Sequence, residues 1–152
     1  MIISLCGNSN EKNILIKELK REYKDKVIIF NYFNIFFQSV IENERIKYNL
    51  IDEFMDLNVA RIKFSEFIEK EVNKKINIFI ANNQNRIIVL VTDNVLTPDI
   101  DKMYYFDKSD LKVLVMSNDD YECFYNDGYD KERFDYLIDV KKQIDIRKLV
   151  KL

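Results

Sequence analysis

The chain has 152 residues, 47% of them apolar and 13% aromatic, with 24 basic and 26 acidic side chains giving a net charge of −2. That length suits a single domain, 1–152, around one core, and so aromatic a composition excludes a disordered chain. The near-neutral balance excludes the clustered basic face of a duplex nucleic-acid binder, since lysine pairs such as Lys74-Lys75 and Lys141-Lys142 have acids close by.

The chain opens on an apolar run, Met1 to Leu5, that reaches Cys6 and Gly7, passes through the polar turn Asn8-Ser9-Asn10-Glu11-Lys12-Asn13 and enters a helical pattern. Strand, polar loop and helix in that order build a phosphate-binding loop, where backbone N–H groups and the positive end of a helix dipole converge on an anion. The side chains depart from G-x-x-x-x-G-K-[ST], which needs a second glycine for close backbone approach and a hydroxyl after the lysine to hold Mg2+. With Lys12 as the phosphate lysine the loop is one residue short, Glu11 replaces the glycine and Asn13 the hydroxyl residue. With Gly7 setting the register instead, Lys12 falls on the glycine position and Asn13 on the lysine. Gly7 is one of only two glycines, with Gly128, so it is expected where the backbone needs a special conformation or a close approach. A phosphate-loop origin and an ordinary strand-to-helix turn both account for it.

After the loop, Ile14, Leu15, Leu19 and Tyr23 recur at helical spacing, with Ser9 or Asn10 as the cap. Lys24-Asp25-Lys26 ends that helix, and Val27-Ile28-Ile29-Phe30 reads as a strand covered on both faces. Asn31-Tyr32-Phe33-Asn34 is expected to be a connection. Ile35, Phe36, Val40 and Ile41 predict a second helix to about Lys47, and residues 50–57 a short helical or irregular stretch. From Asn58 a long helix is expected, its row Phe64, Ile68, Val72, Ile76 and Ile80 thickened by Val59, Phe67 and Phe79. Asn82-Asn83-Gln84-Asn85 closes it.

Arg86 to Asp93 is the most strand-like stretch of the chain. Its five consecutive aliphatics predict a central parallel strand, and Asp93 at its carboxyl end lies where open α/β sheets bind ligands. Asp93 could orient Mg2+ through water or accept a substrate proton; capping the turn formers that follow is the structural alternative. Pro98 opens a helix through Ile100, Met103, Tyr104 and Phe106. Leu111 to Met116 is a fourth strand, Ser117 to Asp130 a candidate lid or plain surface connection, Phe134 to Val140 a fifth strand, and Ile144 to Leu152 a terminal helix. Strands alternating with helices predict a three-layer α/β/α fold on a mainly parallel five-stranded sheet.

The side-chain inventory narrows the chemistry. The chain has no histidine, which excludes Ser-His-Asp and Cys-His mechanisms. Cys6 and Cys123 cannot by themselves form a four-ligand zinc site, so no metal site is expected and both read as buried free thiols. Met1 leads straight into the apolar run without a basic region, so no signal peptide is expected. No segment reaches the apolar length of a membrane span, and a soluble, cytoplasmic protein without a membrane partner is expected.

Taken together, Ile2 to Gly7, Val89 to Asp93, and Phe134 to Asp139 followed by Ile144 to Val150 resemble the P-loop nucleoside monophosphate kinase superfamily, in particular the phage-type deoxynucleoside monophosphate kinases. The resemblance implies phosphoryl transfer from ATP-Mg2+ to a nucleoside monophosphate. It implies nucleotide contacts at Gly7, Asn8, Ser9, Asn10, Lys12 and Asn13, and catalytic roles for Lys12 and Asp93. Three departures weigh against that chemistry. The loop is altered as described, the arginine common in the family two residues after the strand-end Asp is here Val95, and the segment from Ser117 to Asp130 has neither arginine nor lysine to neutralise phosphate. The expectation is therefore a degenerate kinase-fold protein, catalytically impaired, that acts by contact with another macromolecule through tyrosines and phenylalanines such as those from Tyr121 to Tyr129. A protein partner is expected, with a second copy of the chain and a bound nucleotide as further candidates. The alternative is an active kinase using ATP and Mg2+, its acceptor held by the Asp52 to Arg61 region. The abundance of Asn, Lys and Ile and the scarcity of glycine suit an AT-rich genome such as that of a virus or mobile element.

Overall fold

The computed structural model describes residues 1–7, 9–91, 109–116, 134–139 and 150. Its elements in chain order are β1 (Ile2–Gly7), α1 (Ser9–Tyr23), a 3-10 turn (Lys24–Lys26), β2 (Val27–Asn31), α2 (Tyr32–Glu42), α3 (Glu44–Phe54), α4 (Leu57–Asn82), β3 (Ile87–Val91), β4 (Leu111–Met116) and β5 (Tyr136–Asp139). The strands form one sheet in the order β2-β3-β1-β4-β5, and every neighbouring pair is parallel. The expected α/β class with a parallel sheet is what the chain adopts. The helix predicted after Pro98, the segment from Ser117 to Asp130 and nearly all of the terminal helix lie outside the described residues; Val150 is described and buried.

Parallel strands buried on both faces need side chains of both parities to be apolar, and the strand sequences meet that demand. Ile3 and Leu5 of β1, Ile87, Val89 and Val91 of β3, and Leu111, Val113 and Val115 of β4 share one face, where Leu15 and Leu19 of α1 cover them. Residues of the other parity, Ile88 and Leu90, join Phe30 beneath Phe64, Ile68, Val72 and Ile76 of α4. Helices thus lie on both faces. The sheet's register, with Ile3 beside Val89 and Leu5 beside Val113, keeps the two sets apart along its width.

Several local expectations are corrected. Asn31 to Asn34 is no connection: Asn31 caps α2, its side-chain oxygen accepting from the Asn34 amide at 3.1 Å, so the helix starts as soon as β2 ends. The single helix expected through Lys47 is two, separated at Asn43. The Asn43 side chain donates to the Ser39 carbonyl at 2.7 Å and its backbone departs to φ −112° and ψ 26°; an amide side chain competing for the helix's own acceptors is a recognised way to interrupt it. Ile14 and Val59, predicted to face inward, are exposed; Ile16 and Ala60 take the inner positions. The polar turn after Gly7 is shorter than the sequence suggested, because α1 begins at Ser9.

Candidate functional site

β1 lies at the centre of the sheet, flanked by β3 and β4, and its carboxyl end passes into α1 through one residue. That junction is where an open α/β sheet offers a ligand crevice. The first-turn amides of α1 lack intrahelical partners, and the dipole of a 15-residue helix adds partial positive charge at the same end. Ser9, Asn10, Lys12 and Asn13 are all helical, so the amides there belong to a helix start and not to an extended loop. Asn8 lies outside the described residues, as does Asp93, two residues beyond the end of β3.

Gly7 has a steric reason for being glycine. Its φ is +124°, and a Cβ at that position would overlap the carbonyl oxygen of Val115. Gly7 is also the β1 residue in register with Val115 on β4. The close approach that the sequence attributes to this glycine is therefore made to the neighbouring strand.

Lys12 falls on the inner row of α1. Its spacing to Leu15 and Leu19 (i, i+3, i+7) sets it on the same helix face, and it is 1% exposed. An ammonium group so placed must be paired or hydrogen-bonded to be tolerated, and Lys12 does take part in an interaction. Asn13, one position on, is exposed. Of the residues predicted to hold phosphate, the junction thus gathers Gly7, Ser9, Asn10 and Lys12 around one strand end, with Gly7 committed to strand packing and Lys12 withdrawn below the surface.

Asp110 and Asp135, just before β4 and β5, have structural roles. Asp110 accepts the Ile2 amide at 2.8 Å and Asp135 accepts the Lys112 amide at 2.7 Å. Both therefore tie down the amino-terminal starts of β1 and β4, away from the β1–α1 junction. A groove lined by Lys20, Lys24, Asp25, Val27 and Arg86 opens at that same amino-terminal end. Among the described residues no group of three or more Cys, Asp or Glu is placed to hold a metal ion, and no helix is long and apolar enough to cross a membrane.

Two buried polar features escaped the sequence reading. Ser4 in β1 and Ser109 before β4 share a 2.5 Å hydrogen bond inside the protein. Lys75 of α4 reaches across to α2, bonding the buried Ser39 hydroxyl at 2.8 Å and pairing with Glu42 at 3.3 Å. A serine in an apolar strand and one in an apolar helix were the available signals, but neither names its partner.

No protein-family model matches the chain, and no curated protein matches it in sequence. Among solved structures it is similar to the crystal structure of TT1252 from Thermus thermophilus, with a TM-score of 0.57 at 12% identity over 98% of this chain and 92% of that one. A likeness at that identity speaks for the fold alone.

Proposed function

We propose that this chain is a P-loop-kinase-like protein whose phosphate-handling end is degenerate, and that it acts by contact with another macromolecule instead of by efficient phosphoryl transfer. The burial of Lys12 carries the reading. A phosphate lysine works as a mobile point charge at the ligand, whereas Lys12 continues the core-facing row of α1 and is already engaged. The fold-level part of the reading is supported by the parallel order β2-β3-β1-β4-β5, with a helix starting at the carboxyl end of the central strand. Glu11 beside Lys12 adds unfavourable charge for a triphosphate.

The runner-up, an active (deoxy)nucleoside monophosphate kinase using ATP-Mg2+, is favoured by one observation. The α1 amino terminus and Lys12 do adjoin the end of the central strand. Calorimetry with ATP-Mg2+, followed by a turnover assay with deoxynucleoside monophosphates, separates the two. The proposed reading expects no heat of binding at millimolar nucleotide and no product above background. Turnover at about 1 s⁻¹ or faster, the ordinary range for kinases, would establish the enzyme and remove the proposal.

A further inference from the structure

The segment from α2 to the end of α3 carries a series of exposed side chains: Phe37, Ile41, Arg45, Tyr48, Asp52 and Met55. Within α3 the gaps of 3 and 4 from Arg45 through Tyr48 to Asp52 keep those three residues on one side of the helix, whereas Phe37 and Ile41 belong to α2, before the break at Asn43, and Met55 is the left-handed cap that ends α3. Phe37 is 58% exposed, Ile41 76%, Tyr48 58% and Met55 90%, and both charged residues of the run are exposed. Ile46 and Leu50, which lean on the core, lie on the opposite side of α3. Neither Arg45 nor Asp52 has an ion-pair partner among the described residues.

The order of chemistry along this face of α3 is basic, aromatic, acidic, from Arg45 through Tyr48 to Asp52. Turned end for end, it complements itself. We propose that this face docks a second copy of the chain, two-fold related, with the two α3 helices antiparallel. In that arrangement the axis passes beside Tyr48, and Arg45 of each copy meets Asp52 of the other. Charge complementarity selects this occupant: arginine and aspartate stand seven residues apart, about 10 Å along the helix, on either side of the aromatic residue. A two-fold interface requires such a self-matching patch, and exposed aromatic anchors flanked by matched charges are what association surfaces use. This surface lies on the sheet face opposite α1. Nucleotide binding and self-association are read by separate measurements, so either can fail alone.

Light scattering coupled to size exclusion on the full chain tests the proposal. The wild-type chain is expected to be dimeric at about 0.1 mM. R45D and D52R, each setting like charges against each other, are expected to weaken the dimer at least about tenfold. The decisive arm is rescue: an equimolar mixture of R45D and D52R, and separately the double variant R45D/D52R, should recover the dimer because opposite charges again meet. Recovery on mixing also shows that each single variant is folded. A wild-type chain that stays monomeric, single variants that associate like wild type, or a mixture and double variant that both remain monomeric would each overturn the proposal.

Discussion

Gly7 shows how one residue can carry a fold constraint that looks like a functional motif. Its positive φ and the nearness of the Val115 carbonyl leave no room for a side chain, so Gly7→Ala combines backbone strain with a clash inside the sheet. A loss of about 3 kcal/mol or more is expected in urea unfolding; an unchanged midpoint would contradict the close approach of β1 to β4. Tyr32 offers a test through pH. Burial first, and the negative charge of Glu69 second, push its phenol above the ordinary value of 10.0. The folded state therefore keeps the proton after the unfolded chain has released it. This contribution to stability is fully present below pH 10 and is lost as pH rises from there through the higher folded value. Stability measured against alkaline pH should fall less steeply for Tyr32→Phe than for wild type over that window, and identical slopes would argue against the shift.

Among the elements, α4 is the one most legible in the sequence, because its apolar row repeats every fourth residue over several turns. Even there the inner row begins at Ala60 and leaves Val59 exposed, since a helix with about 100° per residue turns neighbouring positions apart. The start of α4 depends on Asp56, whose carboxylate accepts the Asn58 amide at 2.8 Å and the Val59 amide at 3.3 Å. Asp56→Ala should cost about 1 kcal/mol, whereas Ile68→Ala, emptying a fully buried position, should cost roughly 2–5 kcal/mol. Thermal unfolding of the two variants checks the ranking, and a larger effect at Asp56 than at Ile68 would reverse the assignment of core and cap. The break at Asn43 was not legible. Asparagine occurs in helices, turns and caps alike, and only its bond to the Ser39 carbonyl selects the interruption.

The whole molecule is held by contacts between segments far apart in the chain, most directly where the first strand becomes the central one. Ser4 and Ser109 are 105 positions apart and share one buried hydrogen bond. Removing either hydroxyl alone breaks this buried bond and should cost about 1–3 kcal/mol, while the double variant Ser4→Ala/Ser109→Ala should cost clearly less than the sum of the two. Strict additivity in urea unfolding would show that the two hydroxyls do not meet. Burial of Lys12 is likewise decided at this scale. A lysine within a polar turn carries no local sign of burial, and only the docking of α1 on β1, β3 and β4 puts its face of the helix inside.

Hydrophobic period alone determined the α/β class, the positions of β1 to β5 to within two residues at either end, and the long helix, because runs of aliphatics and an i, i+4 row are local properties of the chain. The order of strands, the reason for Gly7, the inward turn of Lys12 and the exposed face of α3 were decided only by tertiary structure. Each of those depends on which distant backbone or side chain arrives alongside, and residue spacing within one segment carries no information about that.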